Sequence, residues 1–395
     1  MTYEEDLHYL DRYGSRNSRF PFGVIVGSRG CPYACSFCCS HATRRVHSAH
    51  YVFAQIIELN NRYGICSFVF FDPLFTTSSP SEQKRIEELC KMIICCGLDI
   101  RYMVDLRADI VLKLPERLLA LMMRSGCAEF NLGLEKGSDK MLQKMMKDMT
   151  VKDHFAATEK LRRIAGKVNK DIRINGTFIL GGPSETKQDV RDTLIHSLAL
   201  NLDEVTIYPL EIHPGTQIYK EALKAKILKP GLAPYLDATE YPWYATKDLP
   251  RSYLLKINES YETMFARLRR FRAAMQWIEE QFLPENERTL ISYPSRKTRN
   301  LDGSVKEFFC FTLDYLRKHP DKALSKKGTL VAPMVVYESQ VERAIHLLER
   351  RLRQKYPNYD DEYSYGDYQF GWLLSEWKSL LNAFEELFSI ALLNV

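Results

Sequence analysis

The chain has 395 residues, of which 45% are apolar, 27% charged and 12% aromatic, with a formal net charge of +5. That balance excludes a disordered polypeptide, and no apolar run approaches the ~20 residues a membrane helix needs. The small positive surplus gives no ground for a nucleic-acid partner, so neither nucleic acid nor membrane is expected as a partner. The opening MTYEEDLHYLDRYG is acidic and has no apolar stretch, so a signal peptide is not expected. At roughly 150 residues per domain, the length predicts two or three domains, or one large α/β barrel with an extension.

Residues 1–20 are read as an N-terminal segment. From about 21 to 225, short β-rich runs alternate with helical patterns. Strands are predicted at GVIVG (23–27), SFVFFD (67–72), IRYMVD (100–105), AEFNLGLE (128–135), IRINGTFIL (172–180) and EVTIYPL (204–210). Between them, a helix from Tyr51 to Asn61 stops at Gly64. The next opens on Ser79-Pro80-Ser81-Glu82, which reads as a capping box with Pro at the first helical position, and stops at Gly97. Another runs from Pro115 to Gly126, and one starts near Thr186 with Asp189 three residues on. Six strand–helix units with near-continuous apolar strands predict a parallel sheet covered by helices. Six units do not close an eight-stranded barrel, so the expected fold is α/β, a partial (β/α)6 parallel-strand barrel. Such sheets carry their chemistry at the C-terminal strand ends.

Residues 226–395 read as a mainly helical C-terminal extension that caps the barrel. An aromatic, Pro-rich loop is followed by an amphipathic helix through Leu254, Tyr261, Met264, Phe265, Leu268, Phe271 and Met275. Further helices are predicted over about 338–355 and along the stripe Leu373, Trp377, Leu380, Leu381, Phe384, Leu387 and Phe388.

Ten cysteines in a chain of this length, without an export signal, indicate a reducing compartment rather than a disulfide framework, so a cytoplasmic location is expected. Four of them, Cys31, Cys35, Cys38 and Cys39, fall within nine residues. The loop after the first strand reads Cys31-Pro-Tyr-Ala-Cys35-Ser-Phe-Cys38. Thiolates are soft ligands for zinc, Cu(I) or iron–sulfur clusters. A structural zinc site wants four ligands, usually as paired C-x2-C knuckles. Here the spacing is C-x3-C-x2-C and no second pair follows. Three thiolates on a [4Fe–4S] cluster leave one iron open to a small molecule, an arrangement suited to catalysis. A zinc-stabilised, non-catalytic binding protein is the competing reading from another class.

The motif C-x3-C-x-aromatic-C, matched by Cys31, Cys35, Phe37 and Cys38, resembles that of the radical S-adenosylmethionine (radical SAM) superfamily. Similarity continues through FFDPLFTT (71–78), residues 107–150, GTFILGGPSET (176–186) and IYPLEIHPGTQIY (207–219), about half of the chain. The later segments look like the cobalamin-type and methylthiotransferase-type branches. The resemblance implies that Cys31, Cys35 and Cys38 hold the cluster. It implies contacts to SAM from Phe37, Asp72, Glu135, Lys147, Gly181, Gly182 and Leu210. Asp72 would meet the amino group, Glu135 the ribose, and the glycines with Leu210 the adenine. It further implies reductive cleavage of SAM to a 5′-deoxyadenosyl radical, which abstracts hydrogen from a small-molecule or peptide-like substrate. The electron would come from a one-electron reductant such as flavodoxin or ferredoxin.

No catalytic side chain is assigned from the sequence. Cys39, Cys90, Cys95 and Cys96 read as packed thiols, and Arg107 and Arg173 as cations at strand ends. The basic runs at 267–272 and 350–355 read as solvated faces. Only 30 residues precede Cys31, and Asp6-Leu-His8-Tyr-Leu-Asp11 lacks the glycine of the D-x-H-x-x-G pattern, so cobalamin is not expected. A cobalamin-assisted methyltransferase is the alternative within the superfamily.

Overall fold

The computed structural model describes residues 22–40, 42–200, 202–228, 242–265 and 379. The helices expected at 338–355 and along 373–388 lie outside the described residues, as does the segment 1–20. The chain divides into two units. The first contains the residues up to Ile179 together with Leu202–Thr206 and Glu211–Pro242; the second contains Leu180–Asn201, Ile207–Leu210 and the chain from Trp243.

The strands are β1 (Phe22–Ile25), β2 (Ser28–Arg29), β3 (Arg45–Val46), β4 (Ser67–Phe70), β5 (Arg101–Leu106), β6 (Cys127–Glu135), β7 (Arg173–Leu180) and β8 (Glu204–Pro209). Six of them form one sheet in the order β1-β4-β5-β6-β7-β8, while β2 and β3 pair antiparallel with each other. The pairs β1/β4, β4/β5, β5/β6 and β6/β7 are parallel. Apart from the β2–β3 insertion after β1, neighbours in sequence are thus neighbours in the sheet, as repeated βα units require. The chain has the α/β parallel-strand fold expected of a partial barrel.

The strands are less uniformly apolar than a parallel sheet covered on both faces would be. Phe68, Phe70, Tyr102, Val104, Phe130, Leu132, Ile174 and Phe178 are buried on one face. The alternate positions Val69, Met103, Asp105, Glu129, Asn131, Arg173, Asn175 and Thr177 are only partly buried. Period-two alternation of this kind puts a hydrophobic core on one side and a polar, accessible surface on the other. Phe70 anchors the core, with its ring edge-on to Phe75 at 4.9 Å and to Tyr102 at 5.4 Å.

The helices are α1 (Ala49–Tyr63), α2 (Pro80–Cys95), α3 (Ala108–Lys113), α4 (Glu116–Arg124), α5 (Asp139–Lys144), α6 (Val151–Val168), α7 (Lys187–Ala199) and α8 (Gln217–Lys224). A further helix is described over 251–265. Ser48 caps α1 and Gly64 ends it in the left-handed conformation. Capping boxes open α6 (Thr150 with Asp153) and α7 (Thr186 with Asp189). At α2 the box expected from Ser79 and Glu82 is only half made. Ser79 accepts from the Glu82 amide, but the Glu82 carboxylate turns to Arg44 (2.7 and 2.8 Å) and the Thr77 amide. A buried guanidinium offers a stronger, charge-assisted partner than the cap amide does. Lys160 on α6 donates to the carbonyls of Val111, Leu112 and Leu114, closing the C-terminus of α3 as a cation should. No described helix is long and apolar enough to cross a membrane.

Candidate active site

The β2–β3 pair is the base of the cysteine loop. Gly30 leaves β2 at φ +74°, and a Cβ there would collide with the Ala42 carbonyl, so the turn requires glycine. Arg44 ties the base together, donating to Ser28 Oγ (3.3 Å) and the Gly30 carbonyl (3.2 Å) while pairing with Glu82. The Cys31 amide donates to the Ser40 carbonyl at 2.9 Å, and the Cys38 amide to the Cys35 carbonyl at 3.2 Å. Ser36 fastens the centre of the loop. Its amide donates to the Met145 carbonyl, its hydroxyl to the Lys144 carbonyl, and its own carbonyl accepts from the Ile218 amide. A loop pinned at both ends and in the middle presents its side chains in one geometry.

Cys35 is buried, Cys31, Phe37 and Cys38 are partly buried, and Cys39 is exposed. The Ser40 amide donates to Cys38 Sγ at 3.3 Å. Arg107, which follows β5, approaches Cys35 Sγ with Nη1 at 3.6 Å. Its guanidinium lies 3.8 Å from the centroid of the Tyr33 ring, and its Nε donates to Asp109 at 2.8 Å. The fourth face of that guanidinium, Nη2, is buried without a hydrogen-bond partner. Burial pushes the Cys35 thiol up, and the charges of Lys147 and Arg107 pull it back toward the thiolate.

A metal cluster fits this donor set. Three soft sulfurs share a loop, two buried cations, Arg107 and Lys147, favour the ionised form of Cys35, and Arg107 keeps a spare N–H. No three His, Cys, Asp or Glu side chains among the described residues converge as ligands of one ion would.

Asp72, just after β4, is almost completely buried. Its Oδ1 accepts from the Gly27 and Ser28 amides (2.7 and 3.0 Å), and its Oδ2 from Ser28 Oγ (2.9 Å). Burial raises its pKa, and those donors and the nearby Arg85 hold it partly down. The carboxylate thus fixes the β1-to-β2 turn that leads into the cysteine loop. Of its four lone-pair directions, three are engaged.

Glu135 ends β6 at φ +65°, an unusual backbone for a residue with a side chain. The β6/β7 register shifts between Gly133 and Glu135, and this bulge turns the carboxylate onto Lys147, at 2.8 Å. Two of the residues expected to meet SAM are therefore a buried ion pair. Phe37 lies in the cysteine loop, next to the Ser36 clamp.

Gly181, Gly182 and Leu210 belong to the second unit and sit together there. The Leu210 amide donates to the Leu180 carbonyl, and the Tyr244 amide to the Leu210 carbonyl, each at 2.7 Å. Gly181 has φ +92°, and a Cβ on it would stand 2.8 Å from the Tyr244 carbonyl oxygen. Leu210 is buried above Gly182, whose added Cβ would lie 3.4 Å from its Cδ2.

Sequence reasoning missed Tyr33, Ser36, Arg44 and Arg85 as supports, and it missed the polar positions inside the sheet. Asp105, Asn131 and Asn175 are register partners on adjacent strands. Their signal was present in the alternation of YMVDL, EFNLG and RINGT.

Residues 25–195 match the family model of the radical SAM superfamily. Members of that superfamily use a [4Fe–4S] cluster and SAM, and the matched segment holds the cysteine loop and strands β4 to β7. The chain is 28% identical over 227 residues to an uncharacterized methyltransferase of Pyrococcus horikoshii, covering 56% of this chain and 46% of that protein. It is 29% identical over 182 residues to the anaerobic magnesium-protoporphyrin IX monomethyl ester cyclase of Cereibacter sphaeroides, covering 44% and 28%. Among solved structures, the apo form of the cobalamin-dependent S-adenosylmethionine radical enzyme OxsB aligns with a TM-score of 0.50 at 15% identity, covering 93% of this chain and 59% of that one. The chain thus spans less than half the length of these two curated relatives.

Proposed function

We propose that the protein is a cytoplasmic radical SAM enzyme that acts on a small-molecule or peptide-like substrate by hydrogen abstraction. The observation that carries this reading is the cysteine loop: three thiols on a clamped loop, with the Arg107 guanidinium against Cys35. A [4Fe–4S] cluster bound there would supply the electron that cleaves SAM reductively to methionine and a 5′-deoxyadenosyl radical, the hydrogen-abstracting species. The residues of this chain do the rest. Cys31, Cys35 and Cys38 would hold the cluster, and Arg107 donates toward the Cys35 sulfur. Asp72 fixes the turn that sets the loop's origin and keeps one acceptor direction for the amino group of SAM. The Glu135–Lys147 pair offers a carboxylate to the ribose hydroxyls. Flavodoxin or ferredoxin is the class of reductant required.

Anaerobic reconstitution followed by SAM and dithionite tests this reading. Formation of 5′-deoxyadenosine supports it; stoichiometric zinc with no SAM cleavage contradicts it. Formation of S-adenosylhomocysteine on adding methylcobalamin would instead favour the methyltransferase alternative.

A further inference from the structure

The polar side of the sheet carries a row that none of these assignments uses. Asp105, Asn131 and Asn175 stand directly opposite one another on β5, β6 and β7. Two residues further back along the strands, Glu129 and Arg173 are likewise register partners. Arg173 reaches Glu204 at 2.8 Å and Glu129 at 3.7 Å.

The hydrogen bonds of the row fix which way its amides point. Asn131 Nδ2 donates to Asp105 Oδ1 at 2.6 Å, and Asn175 Nδ2 donates to Glu129 Oε2 at 3.2 Å. A carboxylate accepts only, so each amide must turn its nitrogen to its carboxylate and its oxygen away. Asn175 Oδ1 is buried with no partner. Among the described residues Asp105 Oδ2 and Asn131 Oδ1 also have none. Among the described residues, three acceptor oxygens on three adjacent strands are therefore without a protein donor, while each amide nitrogen keeps a second N–H. The local charge has the same bias: Arg173 is shared between Glu129 and Glu204, and Asp105 has no ion-pair partner among the described residues.

Asn175 Oδ1, buried without a donor, is costly to leave so, and a negative, acceptor-rich surface is complementary to a cationic N–H group. We propose that Asp105, Asn131 and Asn175 form a subsite that binds a protonated amine or amidine of the substrate. This rests on the enzymatic reading above and gives it a substrate class: a molecule with a cationic nitrogen. Asp105 precedes Arg107 by two residues, and Asn131 precedes by two Gly133, whose carbonyl accepts from Lys147. Burial raises the Asp105 carboxyl to about 6, and a bound ammonium would draw it back toward its ionised form.

The test is saturation-transfer NMR at pH 8 on the full chain, with and without reconstituted cluster, using a matched pair of probes. These are 2-phenylethylammonium and 3-phenylpropionate, which share a ring and differ in the sign of charge. Expected is binding of the ammonium and not of the carboxylate, weakened at least tenfold in Asp105→Asn and in Asn175→Ser, two near-isosteric or small changes whose folding is checked by circular dichroism. Saturating SAM is expected to leave the ammonium bound. Equal response to the two probes, or unchanged affinity in both variants, would overturn the subsite. Displacement by SAM would overturn its assignment to substrate. Because the row contains no cluster ligand, failure to load iron would count against the enzymatic reading alone, while the probe signal decides the subsite.

Discussion

Lys147 Nζ lies 2.8 Å from Glu135 Oε1 and 3.1 Å from the Gly133 carbonyl oxygen, with both charged side chains more than nine-tenths buried. Removing one member of such a pair leaves an uncompensated charge in low dielectric. Lys147→Met is expected to lower stability by about 3–5 kcal/mol, read from urea unfolding. The double variant Glu135→Gln with Lys147→Met should recover most of that loss, and a double variant as unstable as the single would contradict the pairing. A Cβ on Gly133 would stand 2.8 Å from Glu135 Oε1 and 3.2 Å from Lys147 Nζ. Gly133→Ala should therefore displace the pair and weaken SAM binding before it unfolds the protein.

Asp72 holds three donors from the β1–β2 turn and faces Arg85. Asp72→Ala orphans all of them in a buried site, at a cost of about 2–4 kcal/mol. Because that turn leads into the cysteine loop, the variant should also lose iron faster than the wild type under chelator challenge. Equal loss rates would place the turn outside the control of the loop.

Asp105 gives stability a pH dependence of definite sign. Burial raises its folded pKa from the ordinary 3.8 to about 6, so between those values the folded state binds more protons than the unfolded chain. Stability falls as pH rises through that window, and the loss is complete above the folded pKa. The amplitude is of order 2–3 kcal/mol. Asp105→Asn should flatten the pH 4–6 slope in denaturant midpoints, and an unchanged slope would assign it to another group.

Arg107 stacks on Tyr33 and donates to Cys35 Sγ. A cation and an N–H at a cluster thiolate stabilise the reduced, more negative state. Arg107→Met should therefore lower the cluster's midpoint potential and leave the iron content largely intact. Anaerobic redox titration by electron paramagnetic resonance reads this, and a potential that rises would contradict it.

Much of this arrangement was legible in the sequence. The six strands of the large sheet appear within one or two residues of their observed bounds, because apolar β-rich runs punctuated by caps and glycines leave little choice, whereas the two-residue strands β2 and β3 carry no such pattern. The cysteine triad is visible because its spacing is local. What the chain hides is pairing at a distance. Glu135 and Lys147 read as two separate cofactor contacts, since nothing local announces the bulge that turns one onto the other. Glu82 reads as half of a capping box because Arg44, 38 residues earlier, is invisible to a four-residue pattern. Asp105, Asn131 and Asn175 escaped notice singly, and only the strand register makes them a row. Arg107 read as a cation at a strand end, while its contact with Tyr33 and Cys35 needs the folded loop.

The central claim is that Cys31, Cys35 and Cys38 hold a [4Fe–4S] cluster with one iron left for SAM. Its most direct measurement is the electron paramagnetic resonance spectrum of the reduced, reconstituted protein before and after adding SAM. Expected is a cubane signal whose g-values shift when SAM arrives, with no such signal in Cys35→Ala. A signal indifferent to SAM, or one that survives Cys35→Ala unchanged, would contradict it.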